Sequence, residues 1–158
     1  MSVLIRRIQE NDLPEVHHLF EEILAELHSD NPTALENYRG QYTLARLHIL
    51  LNDSATILLA AIADQRISGF GFGRIAGGVG FIHWMGVRSP KRGSGIGKAI
   101  LEQFVTEFQA RGCHKLELYT YQNRPRLRAF YERAGFTETA RLDKHYYKLD
   151  VTYMTRFL

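Results

Sequence analysis

The sequence contains a single cysteine, Cys113, so no disulfide can form within the chain. That usage fits a reducing compartment, and a cytoplasmic location is expected. There is no CxxC pair, no HExxH and no Cys/His cluster at ligand spacing, so a structural zinc site has no ligands and no metal is expected. No apolar run approaches the roughly 18–20 residues that a membrane span requires. The opening MSVLIRRIQE lacks a basic stretch followed by an apolar one, so neither a secretory signal nor a membrane partner is expected. Repeats, low-complexity tracts and linker-like segments are also missing.

What is present has the balance of a folded domain. The 158 residues are 45% hydrophobic and 23% charged, which excludes intrinsic disorder and collagen-like structure. That length suits one core, so residues 1–158 are read as one domain. Charge is unevenly spread. Net charge is +3, yet residues 1–40 hold eight acids against three bases, a balance of −5 that leaves +8 on the remainder. An acidic first quarter suits a cationic partner, and a basic remainder suits an anionic one. Acidic solvated faces on two amphipathic helices account for the same numbers.

Hydrophobic spacing predicts the elements. Val3 to Ile8 reads as a strand, and Asp12 or Asn11 can cap a helix beginning near Pro14. Val16, Leu19, Phe20, Ile23, Leu24 and Leu27 follow helical spacing. A second helical stretch runs from about Thr33 to Leu51, with Gly40 as a point of interruption. The run ATILLAAIA suits a buried strand, followed by strands near Ile67–Ile75 and Val79–Val87 with tight turns between them. A helix then carries Ile96, Ile100, Leu101, Phe104, Val105 and Phe108. Lys115–Tyr121 is a strand, Pro125–Ala134 a short helix, and two strands fill Thr137–Leu158. The expected order is β-α-α-β-β-β-α-β-α-β-β. This is an α/β domain of the α+β type: a mixed, mostly antiparallel sheet of about seven strands with helices on both faces. The passage from residue 79 to 121 implies one parallel crossover.

Arg92-Gly93-Ser94-Gly95-Ile96-Gly97-Lys98 lies between a predicted strand and a predicted helix. Glycines there let several backbone N–H groups converge without Cβ interference. The helix start adds unpaired donors and the positive end of its dipole, with Lys91, Arg92 and Lys98 around it. A diphosphate is the natural ligand. The Walker pattern GxxxxGK[ST] does not fit, because Arg92 stands at its first glycine and Ala99 at its hydroxyl. A dinucleotide fingerprint does not fit either, since GxGxGK replaces GxGxxG and follows a predicted antiparallel meander.

The segment Val87…Arg92-Gly93-Ser94-Gly95-Ile96-Gly97 resembles the R-x-x-G-x-G/A loop of the GNAT superfamily of N-acetyltransferases. Downstream, Phe130-Tyr131-Glu132-Arg133-Ala134-Gly135-Phe136 is similar to the (L/F)-Y-E-K-x-G-F close of that family's next helix. The element order matches throughout, and the two motifs stand at the expected separation. The resemblance implies transfer of an acetyl group from acetyl-CoA to a primary amine, directly within a ternary complex. It implies that backbone groups of Met85 and Val87 pair with the pantetheine. It also implies that N–H groups from Arg92, Gly93, Ser94, Gly95, Ile96, Gly97 and Lys98 take the pyrophosphate.

Tyr131 matches the family's usual general acid, a phenol near the sulfur, and also belongs to the apolar stripe Leu127, Phe130, Tyr131, Ala134. His83 stands where some members place a catalytic histidine, and an imidazole suits deprotonation near neutral pH; solvent can serve instead. Strand alternation places His83 on the side of 81, 85 and 87. Two departures concern the acid–base network: the family's frequent Asn falls on Arg124, and an acid found in some protein-amine acetyltransferases falls on Tyr119. Arg124, with Arg128 at i, i+4, is a candidate for coenzyme A phosphate. His145-Tyr146-Tyr147 and Asp150 to Met154 resemble the finish of members that acetylate peptide amines. In the family the first two helices wall the acceptor cleft, so their acids favour a cationic amine, whether small amine, polyamine or peptide. Cys113, between a helix and a strand, is poorly placed for a covalent acetyl-enzyme. A non-catalytic acyl-CoA-binding domain is the alternative. Nucleic-acid binding by the basic segments is not expected, since no such module is present; a homodimer is open to the chain.

Overall fold

The structure, a computed structural model, describes residues 2–158. A seven-stranded sheet in the order β1-β2-β3-β4-β5-β7-β6 forms its centre. The strands are β1 (Val3–Arg7), β2 (Thr56–Ala63), β3 (Arg66–Ala76), β4 (Val79–Val87), β5 (Lys115–Tyr121), β6 (Thr137–Leu142) and β7 (Val151–Phe157). Every neighbouring pair is antiparallel except β4 with β5, the two strands joined by the crossover helix. The helices are α1 (Leu13–His28), α2 (Pro32–Gln41), α3 (Leu44–Leu51), α4 (Ile96–Ala110) and α5 (Pro125–Arg133). The expected α/β architecture and element order are therefore observed, with one helix more than the spacing predicted.

That extra helix comes from the predicted 33–51 stretch. Gly40 stays inside α2, and the chain breaks instead at Tyr42–Thr43, where the Thr43 hydroxyl accepts the Arg46 N–H at 3.2 Å and starts α3. A capping hydroxyl, rather than the flexible glycine, decides the boundary. The expected cap of α1 is also corrected. Asp12 stands at the N-cap position, but its carboxylate turns back to β1, accepting the Gln9 N–H at 2.7 Å and both terminal nitrogens of Arg6 at 2.5 and 3.0 Å. A charge-assisted fork outcompetes a neutral cap.

Two apolar clusters sandwich the sheet. On one face α4 and α5 bring Ile96, Ile100, Phe104, Phe108 and Tyr131 against Ile57, Leu59, Ile82, Leu116 and Leu118. On the other, α1, α2 and α3 bring Leu13, Phe20, Leu24, Tyr38 and Leu47 against Leu58, Phe70 and Phe72. β2 is buried on both sides, which is why its sequence is an unbroken apolar run. The glycines of β3 and β4 let α4 come close: a Cβ on Gly71 would lie 2.5 Å from the Phe104 ring, and one on Gly80 2.5 Å from Phe108.

Candidate active site

The sheet opens between β4 and β5. These strands pair only at Val79↔Lys115, Gly80↔Leu116 and Phe81↔Glu117, and then part. Beyond that point β4 has no β5 partner, and His83, Trp84 and Met85 line a cleft. Leu27, Met85, Thr120, Arg124, Leu127 and Tyr131 are among its walls. Residues from α1, β4, β5 and α5 thus meet at one gap.

The glycine loop follows β4, the strand that edges the cleft, and leads into α4. Gly93 and Gly95 have φ of 78° and 91°, and a Cβ added to either would enter open space with nothing within 4 Å. Such backbone favours glycine on conformational grounds, and it leaves a concave surface of N–H groups. The first hydrogen bond of α4 runs from the Ala99 N–H to the Gly95 carbonyl at 3.0 Å, so the N–H groups of Ile96, Gly97 and Lys98 precede the helical ladder. Ile96 sends its side chain into the core and offers only its backbone. A Cβ added to Gly97 would meet Phe130 and Val87 at ordinary contact distance, 3.7 and 3.8 Å, so the start of α4 lies beside β4 and α5. This donor set suits a diphosphate. Arg92 is less free than its position suggested, because its Nε donates to the Val87 carbonyl at 2.9 Å and its Nη2 pairs with Glu26 at 2.8 Å. Lys91 pairs with Asp64.

Tyr131 is 7% exposed and lines the cleft opposite Met85. Burial raises its pKa well above the ordinary value, so the phenol keeps its proton throughout the neutral range. Packing in the stripe and presentation to the cleft coexist, since its ring also contacts Phe130 and Phe136.

His83 lies in the cleft on the side of Phe81, as alternation predicted, but not on the side of Met85 and Val87. Phe72 pairs with Trp84 while Gly73 pairs with Ile82, so His83 is the extra residue of a β-bulge. Ile82, Met85 and Val87 all belong to the α4-side core, whereas Trp84 packs with the α1-side core. The bulge resets the alternation, and His83 faces the α1–α3 side, its ring 4.7 Å from that of Phe81. It borders the cleft and two further cavities. The surrounding walls displace water, and with the charge of Arg74 they lower its pKa, so the ring is neutral at pH 7.

Arg124 donates from Nη2 to the Leu27 carbonyl at 2.9 Å, clasping the start of α5 to the last turn of α1. Its companion Arg128 pairs with Glu132 at 3.6 Å. Sequence reading missed several residues that the fold brings here. The Tyr38 hydroxyl meets those of Tyr119 and Tyr121 at 2.9 and 3.0 Å, and burial keeps all three phenols protonated. His28, 2% exposed, packs its ring 5.3 Å from Tyr38 and 5.6 Å from Tyr121. Burial, then the charge of Arg124, lowers its pKa. Tyr38 and His28 carry no sequence signal beyond helical spacing, which also describes plain core residues.

The acids of residues 1–40 do not wall the cleft, which corrects the charge-based expectation. Asp12, Glu15, Glu21, Glu22 and Glu26 pair with arginines elsewhere on the fold, and Glu10 lies 3.4 Å from His48. None of the eight lines the cleft or its two neighbouring cavities. Among the described residues no group of three or more His, Cys, Asp or Glu side chains could hold a metal ion. No helix among them is long and apolar enough to cross a membrane.

Residues 14–136 match the family model for the acetyltransferase (GNAT) family. The chain belongs to that family. Among its relatives is glucosamine 6-phosphate N-acetyltransferase 1 of Oryza sativa, 30% identical over 138 residues that cover 84% of this chain and 81% of that protein. The mycothiol acetyltransferase of Clavibacter michiganensis is 33% identical over 88 residues, 56% of this chain but only 29% of that protein. The GNAT fold is shared in full with the PaiA N-acetyltransferase of Thermoplasma acidophilum, solved in complex with coenzyme A. The TM-score is 0.86 at 19% identity, covering 100% of both chains.

Proposed function

We propose that this GNAT chain is an N-acetyltransferase that moves the acetyl group of acetyl-CoA to a primary amine in a ternary complex, with residues 1–158 forming one domain around the single sheet. One observation carries this reading: the gap between β4 and β5 has an unpaired strand edge along one side and Tyr131 in its wall, and the strand that edges it runs on into the glycine loop before α4. Acetyl-CoA supplies an acetyl group activated as a thioester.

The residues divide the work by chemistry. Backbone N–H groups of Gly93 to Lys98, at the positive end of α4, hold the diphosphate. Backbone groups of Met85 and Val87, on the strand edge that β5 leaves free, hydrogen-bond the pantetheine. His83, neutral at pH 7, takes the proton that the amine sheds as its nitrogen bonds to the carbonyl carbon. Tyr131, held in its protonated form by burial, donates to the sulfur as the carbon–sulfur bond breaks. Direct transfer is favoured over a covalent acetyl-enzyme because Cys113 is buried in the α4-side core, where burial raises its thiol pKa. Arg124 holds the cleft wall in place through Leu27 rather than reaching outward as a phosphate ligand.

Calorimetric titration with coenzyme A, followed by thiol release from acetyl-CoA over a panel of amines, tests the reading. Roughly stoichiometric binding together with amine-dependent thiol release is expected. Binding without release on any amine would favour the non-catalytic acyl-CoA-binding alternative. A folded protein that ignores coenzyme A would overturn both.

A further inference from the structure

A cavity of about 500 Å³ beside the cleft lies between the α2–α3 segment and the sheet, with walls that include Tyr42, Arg46, Phe72, Arg74 and His83. A volume of this size suits a small-molecule ligand. Its wall contains no carboxylate but two guanidinium groups, from α3 and from β3. On β3, a Cβ at Gly73 would point at Phe104 of α4, so its neighbour Arg74 points to the opposite face, the one His83 occupies after the bulge. Asp53, outside the cavity lining, accepts from one nitrogen of Arg74 at 2.8 Å and fixes the guanidinium at the rim. Arg46 has no ion-pair partner among the described residues. Among the described residues His83 alone is shared between this cavity and the cleft that holds Tyr131, and its pKa is lowered first by burial and then by the charge of Arg74.

From this geometry we infer that the acceptor is an amine carrying a distal anionic group, a carboxylate or a phosphate. The anion sits between Arg46 and Arg74, and the amine passes His83 to reach the cleft. This rests on the acetyltransferase reading and specifies its substrate class. An aliphatic polyamine would have to bring its remaining positive charges against two arginines with no carboxylate in the lining, an arrangement that costs rather than contributes binding energy. A planar guanidinium pair instead matches a carboxylate or phosphate edge.

The test keeps coenzyme A at saturation, so that the α4 loop is filled and any added anion reports a second place. The His83 imidazole resonances, assigned with His83→Gln, are followed while inorganic phosphate or acetate is titrated. A saturable shift of those resonances is expected, with a raised His83 titration midpoint, and both vanish in Arg46→Gln/Arg74→Gln. The stronger of the two anions identifies phosphate or carboxylate as the preferred group. No saturable shift, or the same shift in the double variant, overturns the inference. Matched acceptors give a second reading: glucosamine against glucosamine 6-phosphate, and butylamine against 4-aminobutyrate. At least one anionic member should gain on the order of tenfold or more in kcat/KM, as charge-assisted hydrogen bonds predict, and lose that gain in the double variant. Spermidine as the fastest acceptor, unaffected by the double substitution, also overturns it. Coenzyme A affinity, measured by calorimetry, is unchanged by the double substitution. Absence of coenzyme A binding in the unaltered protein sinks the acetyltransferase reading itself, whereas binding without an anion response sinks only the acceptor class.

Discussion

The two faces of the central sheet are built from the same strands and do different work. Toward α4 the strands present glycines at 69, 71, 73 and 80, where an added Cβ would lie within 3.0 Å of Ile100, Phe104 or Phe108. Toward α1, α2 and α3 the same strands present Phe72, Arg74, His83 and Trp84, and here the surface is indented by cavities. Close packing makes the first face a rigid plate with a fixed α4 and a fixed glycine loop. Looser packing gives the second face room for a ligand. A helix held without play would keep the loop at its start preorganised for the diphosphate proposed there.

Substitutions on either face should therefore separate activity from stability. The largest effect is expected at the cleft. Tyr131→Phe removes the acid and should lower turnover by about 10²–10⁴-fold, with coenzyme A affinity retained in calorimetry. Equal turnover in the variant would assign Tyr131 to packing alone. On the crowded face, Gly71→Ala forces a Cβ to within 2.5 Å of the Phe104 ring. That overpacking should cost about 1–3 kcal/mol in denaturant unfolding, and a loss below 0.5 kcal/mol, roughly the range for an ordinary surface change, would mean that α4 shifts easily.

Gly95→Ala probes the join between the two regions. The Cβ meets open space, but the left-handed φ of 91° is unfavourable for alanine. A cost near 1–2 kcal/mol is expected in stability, accompanied by a loss of coenzyme A affinity that Gly71→Ala does not share. Equal affinity losses in the two variants would erase the distinction.

The smallest effects are in pH. His28 and His83 both have pKa values lowered by burial, and both lie on the cleft side. In the unfolded chain each returns to about 6.5, so the unfolded state binds protons first as the medium is acidified. Their contribution to stability is complete above pH 6.5 or so and declines as pH falls toward the folded values. Urea unfolding at pH 7.5 and 5.5 should show this decline, with a shallower one in His28→Gln. The rate of acetyl transfer should fall on the acid side with a midpoint below about 6.5, the free-imidazole value, and His83→Gln should abolish that limb. An unchanged limb would give the proton to solvent.

Much of this was legible along the chain because it depends on local order. The apolar periodicity of Val16 to Leu27, the unbroken run of β2 and the glycines before Ile96 each report a nearby physical requirement, and each element lies where expected. The side of His83 relative to Met85 and Val87 was not legible: one extra residue opposite Phe72 and Gly73 puts them on opposite faces, and pairing register is a property of two strands together. Nor was the fate of the acids. Glu26 is neutralised by Arg92 and Asp12 by Arg6, and only the fold shows those partners. The boundary between α2 and α3 lay within reach, since Thr43 is a good cap, but Gly40 offered a competing break.

By itself the sequence determined the element order, the mixed sheet with its parallel crossover, the place of the glycine loop before α4 and the motif from Phe130 to Phe136 that contains Tyr131. These rest on spacing and backbone conformation, which neighbouring residues set. Only the tertiary structure decided where β4 and β5 part, which way His83 faces, and that the cavity beyond it is lined by Arg46 and Arg74 without a carboxylate. Those are relations between residues far apart in the chain, and they exist only once packing has brought them to within a few ångströms.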